Sequence, residues 1–146
     1  MSSNQALVDT NVLIYAFSKE SDYYKVCREL LNSAQEGKLS LCVAPQVVAE
    51  FFAIATDPRR TTAPQKPQET ADVIDQLLAM PGMVLLSLPV DVVNRWTTLI
   101  RQHPVTGSDI FDVQLVATML GNGVSQIYTY NRKDFEKFSE IDVLTP

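Results

Sequence analysis

The sequence predicts an α/β fold built on a mainly parallel sheet. Three observations support this prediction: short apolar stretches typical of strands recur along the chain, helical patterns fill the gaps between them, and proline or glycine marks most boundaries. The 146 residues are 46% hydrophobic and 20% charged, a length and composition typical of one globular domain. We therefore expect a single domain over residues 1–146.

In the first half of the chain, an apolar strand at 6–8 precedes helices at 12–17 and 22–36, the second of which ends near Gly37. A second strand at 39–43 leads into a helix at 46–56, which Pro45 can begin and Pro58 cannot continue. Residues 57–66 show no periodic pattern and are expected to form a mobile loop. Pro67 suits the first turn of the next helix, at 68–80, and Pro81 follows it.

In the second half, strands are predicted at 83–88, 127–130 and 141–144, with helices at 91–103, 109–120 and 133–138 between them. The single histidine, His103, lies at the end of a predicted helix, where an imidazole can bind free carbonyl groups. We therefore expect a structural role for His103.

Charge and hydropathy limit the functions that the chain can have. With 17 acidic and 12 basic side chains the net charge is -5, so any binding of nucleic acid must be local rather than driven by a broad positive surface. No apolar run approaches the ~18 residues of a membrane span, and residues 1–5 lack the features of a signal peptide. We expect a cytoplasmic protein without membrane contact, with Cys27 and Cys42 as buried free thiols.

Asp9 follows the first predicted strand directly and precedes an apolar helix. In open parallel sheets ligands bind beyond the carboxyl ends of the strands, and this rule favours a functional carboxylate at Asp9. The alternative is an N-cap of the following helix, a role that Asn11 could fill equally well.

Glu50 interrupts an apolar helical pattern, with Val47 three residues before it and Ile54 four residues after it on the same face. A carboxylate turned toward a core is costly unless it is paired or binds a metal ion. We therefore expect Glu50 to face inward at a functional site; the alternatives are a solvated helix position or an ion pair with an arginine.

Asp112 repeats this pattern, because Leu115 and Val116 lie one turn after it. Asp109, one turn earlier, could reach the same site. Its position near the start of a helix also fits an acid that complements the helix dipole, and we favour that structural role.

Carboxylates gathered from separate elements repel one another, and a hard divalent cation removes that cost. Ligands that are all oxygen favour Mg²⁺ or Mn²⁺, which can leave positions for water and substrate phosphate, as in phosphodiester cleavage. A single histidine and no cysteine cluster give little support to zinc hydrolysis or to a serine or cysteine triad.

The chain resembles PIN domains, and specifically the VapC-type toxin ribonucleases of toxin–antitoxin pairs. The resemblance rests on four segments whose order and spacing both fit: VDTNVLI at 8–14, APQVVAEFFAIAT at 44–56, FDVQLVA at 111–117 and YTYNRKDF at 128–135. It implies a three-layer α/β/α sandwich with the parallel sheet between helices. It also implies that Asp9, Glu50 and Asp112 are the catalytic, metal-binding acids, with Thr10 or Thr129 as a further polar contributor.

The fourth acid departs from the family pattern. Many relatives have an aspartate two residues after the strand threonine, where this chain has Asn131; the next acid is Asp134. The resemblance therefore implies that Asn131 or Asp134 completes the metal site, and it leaves one or two metal ions open.

The family also implies an activity and partners: a Mg²⁺- or Mn²⁺-dependent endoribonuclease, RNA as substrate, a cognate antitoxin that blocks the site, and a homodimer. The candidates for phosphate contacts are the basic residues Arg59, Arg60, Lys66, Arg132 and Lys133. Phosphatases that form an aspartyl-phosphate need an acid where Asn11 stands, and a receiver domain needs paired acids early in the chain. The remaining alternative is a catalytically silent PIN-like module for binding or dimerisation.

Overall fold

A computed structural model describes residues 4–146, which form one central sheet. Its five strands are β1 (Ala6–Val8), β2 (Leu41–Val43), β3 (Met83–Leu85), β4 (Gln126–Tyr128) and β5 (Asp142–Leu144). The order across the sheet is β3-β2-β1-β4-β5, and every pairing is parallel. In the centre, Leu7 pairs with Cys42 on one side and with Ile127 on the other. The predicted mainly parallel sheet is confirmed.

Helices connect the strands within the described residues: α1 (Thr10–Ala16), α2 (Tyr24–Gln35), α3 (Pro45–Thr56), α4 (Pro67–Leu78), α5 (Val92–Gln102), α6 (Ile110–Gly121) and α7 (Arg132–Phe135). A short 3-10 turn at Gly107–Asp109 precedes α6. Pro45 and Pro67 occupy first-turn positions of α3 and α4, as predicted, because proline has no N–H to leave unpaired there.

The helices form two layers around the sheet. Along one stretch of chain α1 packs on α2 and α3, and α3 packs on α4, whereas α5 packs on α6. The connections from β1 to β2 and from β2 to β3 run in one direction across the sheet, and the connection from β3 to β4 runs in the opposite direction. Because crossovers between parallel strands are right-handed, connections in opposite directions place their helices on opposite faces. The result is the three-layer α/β/α sandwich, and one hydrophobic cluster that includes Leu7, Val43 and Ile127 fills its interior.

The direction of the chain reverses beside β1. The chain moves outward from β1 to β2 and β3, and then returns to place β4 against the free side of β1. Such a reversal opens a crevice at the carboxyl ends of the two central strands, which is where ligands bind in open parallel sheets. Asp9 follows β1 and Thr129 follows β4, so both residues lie at this crevice.

Some boundaries differ from the predictions. Helix α1 begins at Thr10 rather than at 12, because Asp9 and not Asn11 is its N-cap. Strand β3 ends at Leu85 rather than at 88, and α7 ends at Phe135 rather than at 138. A turn in which Phe138 N–H donates to the Phe135 carbonyl replaces the last predicted turn of helix.

The cysteines are buried as predicted, and His103 has the expected structural role, although its partner is a carboxylate rather than a helix carbonyl. Cys27 and Cys42 are free thiols with no exposed surface. His103 Nε2 lies 2.9 Å from Glu140 Oε1, and its ring meets Phe138 edge-on, so it ties the end of α5 to the segment before β5. No helix within residues 4–146 is long and apolar enough to cross a membrane.

Candidate active site

Asp9 is held at the crevice by hydrogen bonds to both of its carboxylate oxygens. Its Oδ1 accepts from Thr10 N–H at 2.8 Å, which makes Asp9 the N-cap of α1. Its Oδ2 accepts from Thr129 Oγ1 at 2.8 Å and from Asn11 Nδ2 at 3.1 Å. The capping role considered from the sequence is therefore correct, and it leaves Oδ2 directed to the end of β4.

Asn11 and Thr129 join the ends of β1 and β4. Asn11 Nδ2 lies 3.3 Å from Thr129 Oγ1, and Asn11 Oδ1 accepts from Tyr130 N–H at 3.1 Å. Thr129 Oγ1 also accepts from Asn131 N–H at 2.9 Å. Sequence reasoning treated Asn11 only as a possible cap. Its spacing of two residues from Asp9 was the available signal, but its main partner, Tyr130, is distant in sequence.

The pKa of Asp9 is raised above its ordinary value. Burial is the largest cause, since the residue is only 8% exposed and an ionised carboxylate loses hydration there. The hydrogen bonds from Thr129, Thr10 and Asn11 act in the opposite direction, and the charge of Asp134 adds to the increase. Asp9 is thus a fixed carboxylate in surroundings that favour a compensating positive charge.

Glu50 differs from its predicted orientation. The buried face of α3 carries Val47 and Phe51, whereas Glu50 is an exposed residue. The expectation that Glu50 faces the core is wrong, because the apolar pattern of α3 is wider than the face that the core covers. Within the described residues Glu50 is also without an ion pair to arginine, so the solvated position is the better description.

Glu50 nevertheless belongs to the same electrostatic cluster as Asp9. Partial burial of its carboxylate raises its pKa, and the charge of Asp9 raises it further. The Gln46 amide, the Thr10 hydroxyl and the Arg60 charge lower it. Gln46 Nε2 also donates to the Phe111 carbonyl at 3.0 Å, so one side chain contacts the Glu50 region and the start of α6.

Asp112 is half-buried in the first turn of α6, and its pKa is raised to about 6. Burial is the largest cause, followed by the charge of Asp134; Asp109 and Asp9 add to the increase, and Lys137 opposes it. The predicted apolar surroundings of Asp112 are confirmed by the buried Leu115 and Val116. Asp109 occupies the N-cap position of α6 without a capping hydrogen bond from its side chain.

The two candidates for the fourth acid differ in position. Asp134 is exposed on α7, and its charge raises the pKa of both Asp9 and Asp112, so it lies near both. Asn131 uses its backbone: its N–H donates to Thr129 Oγ1, and its carbonyl accepts from Asp134 N–H at 3.1 Å. Asn131 therefore sets the start of the helix that carries Asp134.

These residues suit a hydrated, hard metal ion at Asp9. Within residues 4–146, no three side chains of the metal-binding types stand close enough together to hold an ion without movement. Mg²⁺ commonly takes only one or two carboxylates and keeps several waters, so three converging acids are not required. The Thr10 hydroxyl oxygen beside Asp9 is buried and has no hydrogen-bond partner among the described residues, although it lies near enough to Glu50 to affect its pKa.

The basic residues differ in what surrounds them. Arg59 binds Asp57, Arg132 binds the Val143 carbonyl and Glu136, and Lys66 precedes α4 as its N-cap residue. Arg60 carries the positive charge near Glu50, and Lys137 carries the one near Asp112. Lys137 was missed in the sequence because it lies beyond the motif that ends at Phe135.

Comparisons with known proteins agree with this architecture. The sequence pattern of the family described as PIN domain matches residues 6–141. Ribonuclease VapC43 of Mycobacterium tuberculosis is 30% identical over 118 residues, covering 81% of this chain and 80% of that protein.

Two solved structures share the fold. The crystal structure of VapC20 from Mycobacterium tuberculosis, described as a Sarcin-Ricin loop cleaving toxin, has a TM-score of 0.69 at 13% identity, covering 97% of this chain and 99% of that one. VapBC2 from Rickettsia felis, bound to a DNA fragment from its promoter, gives 0.64 at 17% identity, covering 97% and 98%. The family match spans nearly the whole fold, including the strand ends that carry Asp9 and Thr129, and we conclude that the chain belongs to the PIN-domain family.

Proposed function

We propose that the protein is a divalent-metal-dependent endoribonuclease and the toxin of a VapBC-type toxin–antitoxin pair. The observation that carries the proposal is the fixed Asp9 carboxylate at the crevice. Its charge raises the pKa of Glu50 and of Asp112, and the charge of Asp134 raises the pKa of Asp9 and of Asp112. Membership of the PIN-domain family and the similarity to VapC43 support the choice of RNA as substrate.

The proposed metal site centres on Asp9, with Glu50, Asp112 and either Asp134 or Asn131 as further ligands, directly or through water. A bound Mg²⁺ or Mn²⁺ would polarise the phosphate and lower the pKa of a water molecule. The hydrogen bonds from Thr10, Asn11 and Thr129 keep Asp9 in one orientation, so little rearrangement is needed when substrate binds.

Asp112 is the best candidate to accept a proton from the attacking water. In the metal-free protein its pKa of about 6 lies close to neutral pH, and a general base works best when its pKa is near the working pH. A cation bound directly to the carboxylate would lower that pKa, so this role requires Asp112 to bind the metal through water. The water oxygen attacks phosphorus, the bond to the leaving ribose oxygen breaks, and the proton taken from water is available for that oxygen. Arg60 lies near Glu50 and Lys137 lies near Asp112, and both would attract the RNA backbone.

Partners are proposed from the same sources. Similar structures include VapBC2, described as a complex bound to promoter DNA, and we infer a cognate antitoxin for this chain. We also propose a cytoplasmic homodimer, whose candidate contact is an exposed apolar groove between α3 and α4 at the edge of the sheet. The groove is lined by Pro45, Val48, Ala49, Phe52, Ile74, Leu78 and Leu85.

Cleavage of total cellular RNA by the purified chain tests the proposed activity. We expect discrete cuts in Mg²⁺ or Mn²⁺ that disappear with EDTA and in Asp9→Asn, and that remain in Asp72→Asn, a surface acid on α4. Mapping of the cut ends would identify the RNA. Intact RNA under every condition would contradict the nuclease and favour the binding or dimerisation module.

A further inference from the structure

A cavity of about 340 Å³ lies beside the acids, between α1, α3 and the loop at 57–66. Its position follows from the helices: Tyr15 is four residues beyond Asn11 on α1, and Ile54 is four residues beyond Glu50 on α3, a rise of about 6 Å in each case. Both residues line the cavity. The cavity therefore begins one helical turn from the proposed cleavage site.

The inner wall of the cavity is apolar and aromatic. Tyr15, Phe17 and Phe51 contribute to the lining, and the rings of Phe17 and Phe51 lie 5.7 Å apart where α1 packs on α3. Polar groups complete the lining, with the hydroxyls of Ser18 and Ser21 after α1 and hydroxyl and amide groups from the loop. Aromatic groups beside polar ones suit a flat heterocyclic ring whose edge carries hydrogen-bonding groups.

The loop that closes the cavity is attached at its far end. Gln65 N–H donates to the Ala55 carbonyl at 2.8 Å, and Gln65 Oε1 accepts from Thr70 Oγ1 at 2.7 Å. These bonds tie residues 57–66 to α3 and α4, so the cavity is formed before a ligand arrives. For the exposed loop residues before Gln65, the mobility expected from the sequence stays a prediction.

Arg60 links the cavity to the acids. It lines the cavity, and its charge lowers the pKa of both Glu50 and Asp57. Its backbone N–H donates to the Asp57 carbonyl at 3.0 Å, but within residues 4–146 its guanidinium makes no hydrogen bond or ion pair. The adjacent Arg59 is instead bound to Asp57 at 3.1 Å and does not line the cavity. A guanidinium without a partner binds phosphate well, because its planar donors match the phosphate oxygens.

We propose that this cavity binds one nucleoside of the RNA, next to the cleaved phosphodiester, while Arg60 binds a flanking phosphate. The inference rests on the proposed nuclease function and assigns the part of the site that selects a base. The size favours a nucleoside over a protein segment, because 340 Å³ lies at the lower end of the range of about 300–1,000 Å³ for small-ligand sites.

Binding of the four nucleoside 5′-monophosphates to the full chain in EDTA, followed by NMR titration, tests this proposal without relying on cleavage. We expect saturable binding with a preference among the bases. Arg60→Ala should weaken it about tenfold, the effect of losing one charge-assisted phosphate contact of roughly 1.4 kcal/mol. Arg59→Ala is the matched control, and its effect should be at least fivefold smaller.

A second variant fills the cavity. Ala55→Leu is compatible with helix α3 and should abolish saturable binding, because the larger side chain occupies the cavity. If that variant fails to fold, Ala63→Leu fills the cavity from the loop instead. Wild-type affinity in these variants would show that nucleotides bind elsewhere and would overturn the nucleoside proposal. Saturable nucleotide binding without RNA cleavage would instead contradict the proposed nuclease function and support the proposed nucleoside site.

Discussion

Thr129 Oγ1 donates a hydrogen bond of 2.8 Å to Asp9 Oδ2, connecting residues that are 120 positions apart in the chain. The same oxygen accepts from Asn131 N–H and lies within hydrogen-bond distance of Asn11 Nδ2. One hydroxyl group therefore sets the orientation of the central carboxylate and the path of the chain after β4.

Replacement of Thr129 by valine keeps the shape and removes this hydroxyl. We expect Thr129→Val to lower the free energy of unfolding by about 1–3 kcal/mol, because the buried Asp9 carboxylate loses a donor and the part-buried N–H groups of Asn131 and Asn11 lose an acceptor. The pKa of Asp9 should rise further, since Thr129 is the largest of the contacts that lower it, and the acid limb of the pH–rate profile should move to higher pH. Denaturant unfolding and cleavage rates measure the two effects. Thr129→Ser should resemble wild type, and equal behaviour of both variants would contradict the assignment.

The raised pKa of Asp112 predicts how stability varies with pH in EDTA. A carboxyl whose folded-state pKa is about 6, above an unfolded value of about 3.9, binds more protons in the folded state between those pH values. Stability is therefore lost as the pH rises from about 4 to 6. Over that interval the Tm of Asp112→Asn should fall less than the Tm of wild type. The raised pKa values of Asp9 and Glu50 also reduce stability as the pH rises, so the variant should keep part of the fall. Parallel Tm curves for the variant and wild type would argue against this account.

Metal binding should be visible as thermal stabilisation, independently of activity. A ligand that binds only the folded state increases the free energy of unfolding, and the increase grows with the ligand concentration. A bound cation would also reduce the repulsion between the carboxylates around Asp9. We expect Mg²⁺ or Mn²⁺ to raise the Tm of wild type and of the surface control Asp72→Asn, but not that of Asp9→Asn. A similar increase in all three proteins would indicate binding elsewhere.

The exposed apolar groove predicts the result of a test for the homodimer. Phe52 is 37% exposed and lines the groove, and a charge at that position would be costly to bury in an interface. We expect Phe52→Glu to convert a dimer into a monomer in sedimentation equilibrium. Val93→Glu introduces the same charge on α5, outside the groove, and should remain dimeric. A wild-type chain that stays monomeric at high concentration would rule out the dimer.

The two thiols should resist modification in the folded protein. Burial raises the pKa of Cys42 to about 12 and also raises that of Cys27, so little thiolate forms at pH 8. Reaction with a thiol reagent should follow global unfolding and accelerate with denaturant. Rapid reaction of one thiol in native buffer would show that its surroundings open locally.

The sequence was sufficient for much of the fold because the buried strands are apolar and prolines mark several helix starts. It also indicated Asp9 and Asp112 as candidate site residues, since a carboxylate at a strand end or in an apolar helix is conspicuous. The orientation of Glu50 was not predictable, because alanines and an exposed Phe52 extend the apolar pattern of α3 beyond the face that the core covers.

Contacts between distant segments were beyond sequence reasoning. The bond from Asn11 to Tyr130 and the effect of Lys137 on Asp112 depend on strand order, which no local pattern reveals. The cavity at Arg60 likewise depends on how the loop at 57–66 folds against α1 and α3. Arginines 59 and 60 look equivalent in the sequence, and only their three-dimensional surroundings distinguish them.

The return of β4 to the side of β1 has a consequence for synthesis on the ribosome. Asp9 is made before its partner Thr129, which follows only after 120 further residues. Pairings of this kind form late, because the intervening chain must first be made and because closing such a long loop costs conformational entropy. A nascent or prematurely terminated chain that lacks β4 therefore has its acids without their scaffold, which would keep an RNA-cleaving centre silent while it is still attached to the translation machinery.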